Sequence, residues 1–268
     1  MENFDQSKII YFPFKPEIET YAIPSENEKY DLDEYGLPVP PEEYWYGYGK
    51  DAEEHLSDAR YDFDIMMNIL KKENFNFKPG FKILDLGCAG GRLIRFLKPY
   101  ADICEIWGTD INAEIIQWDK KYLRPPFNFA VTTTIPHLPF KDGYFNFIYC
   151  GSIFTHIDDL ADAWLLELRR VLSKDGLLYI TLHDYNTINE LKENSIYKNL
   201  WLKKEMEQDQ VYINYKGKFS MLVKGRGPAS QVFYDMDYFC NSVSTFFETV
   251  SVNLIAYGHQ SGVLLRCK

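Results

Sequence analysis

Between residues 81 and 183, short apolar segments alternate with segments of helical periodicity, and this alternation constrains the fold more than any other feature. Five apolar stretches are predicted as strands: Phe81–Leu86, Ile106–Asp110, Phe127–Thr132, Tyr144–Gly151 and Gly176–His183. Helices are predicted after the first strand through Leu97, from Asn112 to about Lys121, and over Asp158–Leu172. Strands that alternate with helices predict a parallel, doubly wound α/β sheet.

The segments on either side of this alternation have a different composition. Residues 1–50 are rich in proline, acidic and aromatic residues, so we predict an extended arm that packs on the domain, followed by a helix over 51–72. After His183, residues 185–230 contain a polar helical stretch. They also contain VYINYKGKFSMLVKG, which we predict as a hairpin that turns at Lys216–Gly217.

The last segment, FFETVSVNLIAYGHQSGVLLRCK, reads as two strands joined by a turn at Gly258–His259. Strands joined this closely pair antiparallel. The parallel sheet is therefore expected to end in an antiparallel hairpin.

Charge and cysteine content exclude several classes of function. The formal net charge is −10, and no cluster of Lys and Arg is present, so nucleic acid and anionic membranes are poor partners. We expect no signal peptide and no membrane span, because no apolar run approaches roughly 18 residues. The cysteines are scattered and lack CxxC spacing, so we expect reduced thiols, a cytoplasmic location and no metal site.

The turn after the first predicted strand contains an acid and three glycines, in LDLGCAGGRL (84–93). In an open parallel sheet, ligands bind beyond the carboxyl ends of the strands, and glycines let backbone approach a ligand closely. The second strand ends in Asp110, whose two acceptor oxygens suit the vicinal hydroxyls of a ribose. The G-x-x-G-G spacing is a poor match to the dinucleotide pattern G-x-G-x-x-G.

Taken in order, these segments resemble the class I S-adenosylmethionine-dependent methyltransferases over residues 80–185. ILDLGCAGG resembles the first motif of that family, with Ala89 in place of its middle glycine, and GTDIN (108–112) is similar to the acidic end of the second strand. The stretches 135–156 and 164–181 are similar to the segments around the family's fourth strand and its following helix and fifth strand.

The resemblance implies a Rossmann-like sheet of seven strands, S-adenosylmethionine as cofactor and S-adenosylhomocysteine as product. GLPVPPEEYWYGYG (36–49) looks like a leader seen in some bacterial methyltransferases of glycan or natural-product pathways. Methyl transfer to oxygen or nitrogen of a small-molecule, glycan or natural-product acceptor is therefore expected, with a peptide acceptor also open. The oligomeric state is left open.

The family's cofactor residues transfer to one set of positions here. They are Asp85, Gly87, Cys88, Ala89, Gly91, Asp110, Ile111, Thr134, Ile135, Cys150, Gly151 and Tyr48. Gly87 and Gly91 would face the methionine part, Asp110 the ribose and Ile111 the adenine. Thr134 stands where the family often has an acid facing the adenine amino group.

Methyl transfer is a displacement that depends on in-line placement of the acceptor, and a hydroxyl acceptor also needs a base. His183 and His156 are the candidate bases because both follow predicted strands, and His183 is preferred with Asp184 beside it. The remaining histidines, His55, His137 and His259, are expected on the surface or in loops.

The predicted organisation is an N-terminal arm over 1–50 and a methyltransferase domain over 51–268 with a substrate cap at 185–230. The aromatic residues of Tyr44–Tyr48 are expected either to close over the cofactor or to pack the arm on the sheet. Two other functions remain open: a cofactor-binding protein without catalysis, and an NAD-dependent oxidoreductase.

Overall fold

The computed structural model describes residues 29–198, 200–209, 219–225 and 230–268. The strands in this part of the chain are β1 (Lys82–Leu86), β2 (Glu105–Asp110), β3 (Asn128–Val131), β4 (Phe145–Cys150), β5 (Leu172–Leu182), β6 (Met221–Lys224), β7 (Gln231–Tyr234), β8 (Phe247–Tyr257) and β9 (Gln260–Cys267). The α-helices are α1 (Ala52–Lys72), α2 (Ala113–Tyr122), α3 (Ala161–Val171), α4 (Tyr185–Glu193), α5 (Trp201–Gln208) and α6 (Met236–Val243).

Seven of the strands form one sheet in the order β3-β2-β1-β4-β5-β9-β8. The pairs β1–β2, β2–β3 and β4–β5 are parallel, whereas β5–β9 and β8–β9 are antiparallel. This arrangement confirms the predicted fold class, a mostly parallel α/β sheet that ends in an antiparallel hairpin. No helix among the described residues is long and apolar enough to cross a membrane.

The described residues form two compact units, and the first comprises residues 29–63 and 76–141. Its strands β1 and β2 pair in register from Lys82↔Glu105 to Leu86↔Thr109, so their carboxyl ends lie side by side. The predicted cap of α2 is confirmed, because Asn112 Oδ1 accepts hydrogen bonds from Glu114 N at 3.0 Å and Ile115 N at 3.3 Å.

The helix predicted after the glycine turn was wrong in type. The chain passes through turns and forms a 3-10 helix over Ile94–Tyr100. Pro99 lies inside this segment and has no N–H to donate to an α-helical partner. Arg95 Nε also donates to the Gly91 carbonyl at 2.9 Å, and the backbone hydrogen bond from Arg95 N to the same oxygen is longer, at 3.4 Å.

The second unit comprises the described residues of 64–75 and 142–268. Helix α3 begins at Ala161, three residues later than predicted, because Leu160 takes a left-handed conformation with φ of 60°. The C-terminal hairpin β8–β9 turns at Gly258 and His259 as predicted.

The region between β5 and β8 contains α4 and α5 and the antiparallel pair β6–β7. Five of its buried residues form one apolar cluster: Ile188, Leu191, Leu202, Met206 and Phe233. The predicted hairpin turn at Lys216–Gly217 lies outside the described residues. The division into an arm, a domain and a cap at 185–230 stays a prediction.

Candidate functional site

The glycine turn is held over the end of β2 by backbone hydrogen bonds. Gly87 N and Cys88 N both donate to Thr109 O, at 2.7 and 3.0 Å. The turn requires positive φ at Gly87 (79°), Ala89 (44°) and Gly91 (74°). Ala89 therefore keeps the backbone path of a glycine, at a cost on the order of 1 kcal/mol. At Gly91, a Cβ atom would lie only 2.4 Å from Leu123 Cδ1, so the leucine side chain would have to shift.

Asp110 lies beside this turn at the end of β2 and is buried. Its Oδ2 accepts a hydrogen bond from Ala89 N at 3.0 Å and its Oδ1 accepts one from Asn112 N at 2.8 Å. Each carboxylate oxygen can accept a second hydrogen bond. Burial raises the pKa of Asp110, and the backbone donors oppose that effect.

Tyr46 brings the arm to the same place. Its hydroxyl accepts a hydrogen bond from Asn112 Nδ2 at 3.2 Å. Tyr46 as a whole is 52% exposed. Burial of its hydroxyl, followed by the negative charge of Asp110, raises the pKa of Tyr46 to about 12. Sequence reasoning placed Tyr46 among several aromatic candidates and gave no reason to prefer it.

Tyr48, the predicted arm contact to the cofactor, has other partners. Its ring lies under the Arg92 guanidinium, 4.3 Å from the ring centroid, and its carbonyl accepts a hydrogen bond from His55 Nδ1 at 2.7 Å. His55 was expected on the surface, and that expectation was wrong. Trp45 stacks on the imidazole with centroids 4.8 Å apart, and burial lowers the pKa of His55 to about 4.

A buried ion pair fastens the arm to the glycine turn. Arg95 Nη1 donates to Asp33 Oδ2 at 3.0 Å, and the two side chains are 0% and 2% exposed. The same guanidinium donates to Gly91 O at 2.9 Å and Pro38 O at 3.2 Å. Gly90 completes this contact, because a Cβ atom there would lie 2.7 Å from Pro40.

The other predicted cofactor residues of the first unit divide into two groups. Cys88 points inward, with Sγ 3.7 Å from Asp119 Oδ2, and burial raises the pKa of both groups, so only its backbone faces the turn. Thr134 and Ile135 lie exposed in the loop after β3, and Ile111 is partly buried.

Cys150 and Gly151 end β4 in the second unit. The Cys150 thiol is buried and donates to Tyr179 O at 3.9 Å. A Cβ atom at Gly151 would lie 2.7 Å from the ring of Tyr257, so the glycine makes room for that ring. Their predicted place beside a transferring methyl group stays a prediction.

The two candidate bases differ in environment. His183 is buried directly after β5, and its Nε2 lies 3.3 Å from Gln231 Oε1. Asp184 was expected to support His183, but its carboxylate caps α4 through Thr187 N at 2.9 Å and binds the Ser261 hydroxyl at 2.8 Å. The residue His156 is exposed, and its Nδ1 lies 2.9 Å from Ser230 O.

Residues 84–180 match a protein family described as "Methyltransferase domain". The match begins in β1, spans the glycine turn and Asp110, and ends in β5. Over residues 84–180 the chain is thus similar to class I S-adenosylmethionine-dependent methyltransferases.

Curated relatives of this methyltransferase domain include the ubiquinone/menaquinone biosynthesis C-methyltransferase UbiE of Paraburkholderia phytofirmans. It is 31% identical over 142 residues, which cover 47% of this chain and 56% of the relative. An uncharacterized protein of Methanocaldococcus jannaschii is 30% identical over 120 residues, covering 45% of this chain and 48% of its own. The chain thus spans about half the length of the curated relatives it matches.

Solved structures share the fold at low identity. The PH0226 protein from Pyrococcus horikoshii superposes with a TM-score of 0.59 and 19% identity, covering 85% of this chain and 100% of its own. The 1,6-didemethyltoxoflavin-N1-methyltransferase of Burkholderia thailandensis, with S-adenosylhomocysteine bound, gives 0.53 and 12%, covering 84% and 86%.

The residues of the first unit fit the cofactor of a methyltransferase domain. The glycine turn presents backbone with no side chain at Gly87, and Asp110 keeps acceptor capacity on both oxygens. A ribose diol needs two such acceptors, and a neutral Tyr46 hydroxyl lies near them.

Proposed function

We propose that this methyltransferase domain transfers the methyl group of S-adenosylmethionine to oxygen or nitrogen of a small-molecule, glycan or natural-product acceptor. The observation that carries the proposal is the pairing of Asp110 with the glycine turn, in which Ala89 N and Asn112 N orient the carboxylate. S-adenosylmethionine supplies a methyl group on a positively charged sulfur.

In this proposal the first unit holds the cofactor. Gly87 and Gly91 let the backbone approach its methionine part, Asp110 accepts the two ribose hydroxyls and Ile111 contacts the adenine. Asp85, which is buried in β1, would support the glycine turn. The contributions of Thr134, Ile135 and Tyr48 would come from loop and arm positions.

His183, directly after β5, is the first candidate for the base. Gln231 Oε1 can only accept a hydrogen bond, so His183 Nε2 carries the proton of the neutral ring and Nδ1 keeps a lone pair. His183 Nδ1 would take the proton of an acceptor O–H or N–H group as the new bond to carbon forms. His156 is the second candidate, and its exposed position suits exchange of that proton with water.

The acceptor is proposed from this chemistry rather than from the relatives. UbiE is named as a C-methyltransferase and the Burkholderia thailandensis enzyme as an N1-methyltransferase. A neutral imidazole as proton acceptor favours an acceptor atom that itself bears a proton, which points to oxygen or nitrogen.

Isothermal titration calorimetry with S-adenosylhomocysteine and with NAD tests the cofactor. We expect saturable binding of S-adenosylhomocysteine only, whereas tighter binding of NAD would favour an oxidoreductase. Methyl transfer is then tested with radiolabelled S-adenosylmethionine and small-molecule extracts of the source cells. S-adenosylhomocysteine formation that depends on the extract supports an enzyme, and cofactor binding without any turnover would favour a non-catalytic binding protein.

A further inference from the structure

The arm packs directly on the backbone of the glycine turn at Gly90. A Cβ atom at Gly90 would lie 2.7 Å from Pro40 Cβ and 2.8 Å from Pro40 Cγ, with Tyr44 Cβ at 3.5 Å. Gly90 is not among the residues of the turn with positive φ, so its backbone conformation is open to residues with a side chain. The contact with the arm, and not the backbone conformation, therefore requires glycine at this position.

Pro40 is held firmly in this contact by the rest of the arm and by α1. Its carbonyl accepts a hydrogen bond from Trp45 Nε1 at 2.8 Å. Trp45 is buried and stacks on His55 of α1, whose Nδ1 lies 2.7 Å from Tyr48 O. A proline ring fixed in this way cannot turn aside for a larger residue at position 90.

Arg95 joins the same turn to the arm by hydrogen bonds. On the side of the turn, its Nε donates to Gly91 O at 2.9 Å and its Nη2 to Gly90 O at 3.3 Å. On the side of the arm, its Nη1 donates to Asp33 Oδ2 at 3.0 Å and its Nη2 to Pro38 O at 3.2 Å. One buried guanidinium thus makes the position of the turn depend on the position of the arm.

The neighbouring residue of the turn, Ala89, links this contact to Asp110. Ala89 has a left-handed backbone, with φ of 44°, and its N–H donates to Asp110 Oδ2 at 3.0 Å. A left-handed conformation at a residue other than glycine persists only where the surrounding structure holds it. The arm packs on Gly90, directly after Ala89, so it contributes to holding the carboxylate that faces the proposed ribose position.

We propose that Pro40 and Arg95 are positioning residues for the cofactor, and that docking of the arm on Gly90 and Gly91 holds the turn in its cofactor-binding conformation. Cofactor binding and arm docking then stabilise each other, because a coupling between two equilibria is reciprocal. The apparent affinity for the cofactor falls by the fraction of molecules in which the arm is docked. This inference rests on the proposed cofactor site and does not depend on the methyl acceptor.

Gly90→Ala tests the docking contact, because it places a methyl group against the Pro40 ring at a position whose backbone accepts alanine. We expect S-adenosylhomocysteine to bind the folded variant about tenfold more weakly in calorimetry. The double variant Gly90→Ala/Pro40→Gly lacks both Pro40 carbons of the clash and should recover most of that affinity. A Gly90→Ala protein with the parent's affinity, or a double variant that binds no better than Gly90→Ala, would overturn the proposal.

Gly176→Ala is the matched control, because its added Cβ atom would lie 2.9 Å from Leu172 Cγ and from Ser173 O, in the second unit. It should lower the free energy of unfolding and leave the affinity for S-adenosylhomocysteine at the parent's value. If both glycine variants lose the same affinity, the loss reports general destabilisation and the arm has no positioning role.

Hydrogen–deuterium exchange of the parent protein gives a test that needs no variant, and it decides the matter if Gly90→Ala does not fold. The arm has its own backbone hydrogen bonds, from Gly36 N to Asp33 O and from Val39 N to Asp31 O. Saturating S-adenosylhomocysteine should slow exchange in peptides from 31–48, and equal exchange with and without it would refute the coupling. A parent that binds no S-adenosylhomocysteine in calorimetry instead refutes the proposed cofactor site, which separates the two failures.

Discussion

Two regions of the protein differ in how their polar groups are hydrogen-bonded. The first region is the carboxyl ends of β1 and β2, and the second is the stacked imidazoles of His183 and His259, whose ring centroids lie 5.3 Å apart. At the first region, charged side chains are tied to neighbouring backbone, as when Asp110 accepts from Ala89 N and Asn112 N. At the second region the rings are neutral, and His183 and His259 each leave a buried nitrogen unpaired. The first region therefore has its polar groups paired within the fold, whereas the second keeps two ring nitrogens that pair with none of the described residues.

The two regions also differ in how their residues are gathered. The turn at 87–91 and Asp110 lie within one short stretch of chain. His183, Gln231 and His259 come from three distant segments. We therefore expect the first region to respond strongly to single substitutions that break its internal hydrogen bonds and ion pairs.

Arg95→Met should have the largest effect on folding. It removes one partner of a pair whose side chains are 0% and 2% exposed, leaving the buried Asp33 carboxylate without its cationic partner. We expect a loss of about 3–5 kcal/mol in the free energy of unfolding, measured by urea denaturation. The matched control is Arg266→Met, whose partner Glu248 is 56% exposed, and its loss should stay below about 1 kcal/mol. Equal losses would show that the pair between the arm and the turn adds no stability.

Asp110→Ala should reduce the affinity for S-adenosylhomocysteine by about 2 kcal/mol or more, roughly 30-fold, because two charge-assisted hydrogen bonds to the ribose are lost. Asp110→Asn keeps one acceptor oxygen, so its affinity for S-adenosylhomocysteine should lie between those of Asp110→Ala and the parent protein. Calorimetry gives the affinities, and denaturation of the same samples shows whether the turn still folds. A folded Asp110→Ala protein with the parent's affinity would remove Asp110 from the cofactor site.

The strands and the first region could be predicted because their signals are local. Buried parallel strands are continuous apolar runs, and the turn needs positive φ at positions where the sequence has Gly87 and Gly91. Ala89 stands in place of the middle glycine of the family's first motif, yet it takes the same left-handed backbone, with φ of 44°.

The misplaced elements depend on contacts with residues distant in the chain. Arg95 looked like an ordinary helical position, but its side chain binds Asp33 and the turn carbonyls, and the segment becomes a 3-10 helix. His55 stands among charged residues of α1, and only the arm residue Trp45 makes it buried. His259 is a turn residue by pattern, and nothing in its neighbourhood in sequence indicates a stack with His183.

Low pH should destabilise the folded protein through His55 and His259. The folded-state pKa of His55 and of His259 is about 4, below the usual value near 6.5, so the unfolded chain takes up protons first as pH falls. The contribution of these two neutral histidines to the free energy of unfolding is complete above about pH 6.5, and it is lost as pH falls toward 4. Each should cost about 2 kcal/mol between pH 7 and pH 5. His55→Gln and His259→Gln should each flatten the measured pH dependence of unfolding, and a variant with the parent's slope would show that its histidine is not shifted.

The smallest expected effect tests whether the arm belongs to the cofactor site. The Tyr46 hydroxyl accepts from Asn112 Nδ2, and Asn112 N donates to Asp110, so the hydroxyl lies at the edge of the proposed ribose site. Tyr46→Phe removes only that oxygen and should weaken S-adenosylhomocysteine binding by about 0.5–1 kcal/mol, the value of one neutral hydrogen bond. Tyr48→Phe is the matched control, because its ring packs under Arg92 and its carbonyl, which the change keeps, binds His55. If calorimetry finds the larger loss for Tyr48→Phe, the arm contacts the cofactor through Tyr48 as the sequence predicted, and Tyr46 serves only to cap the Asn112 side chain.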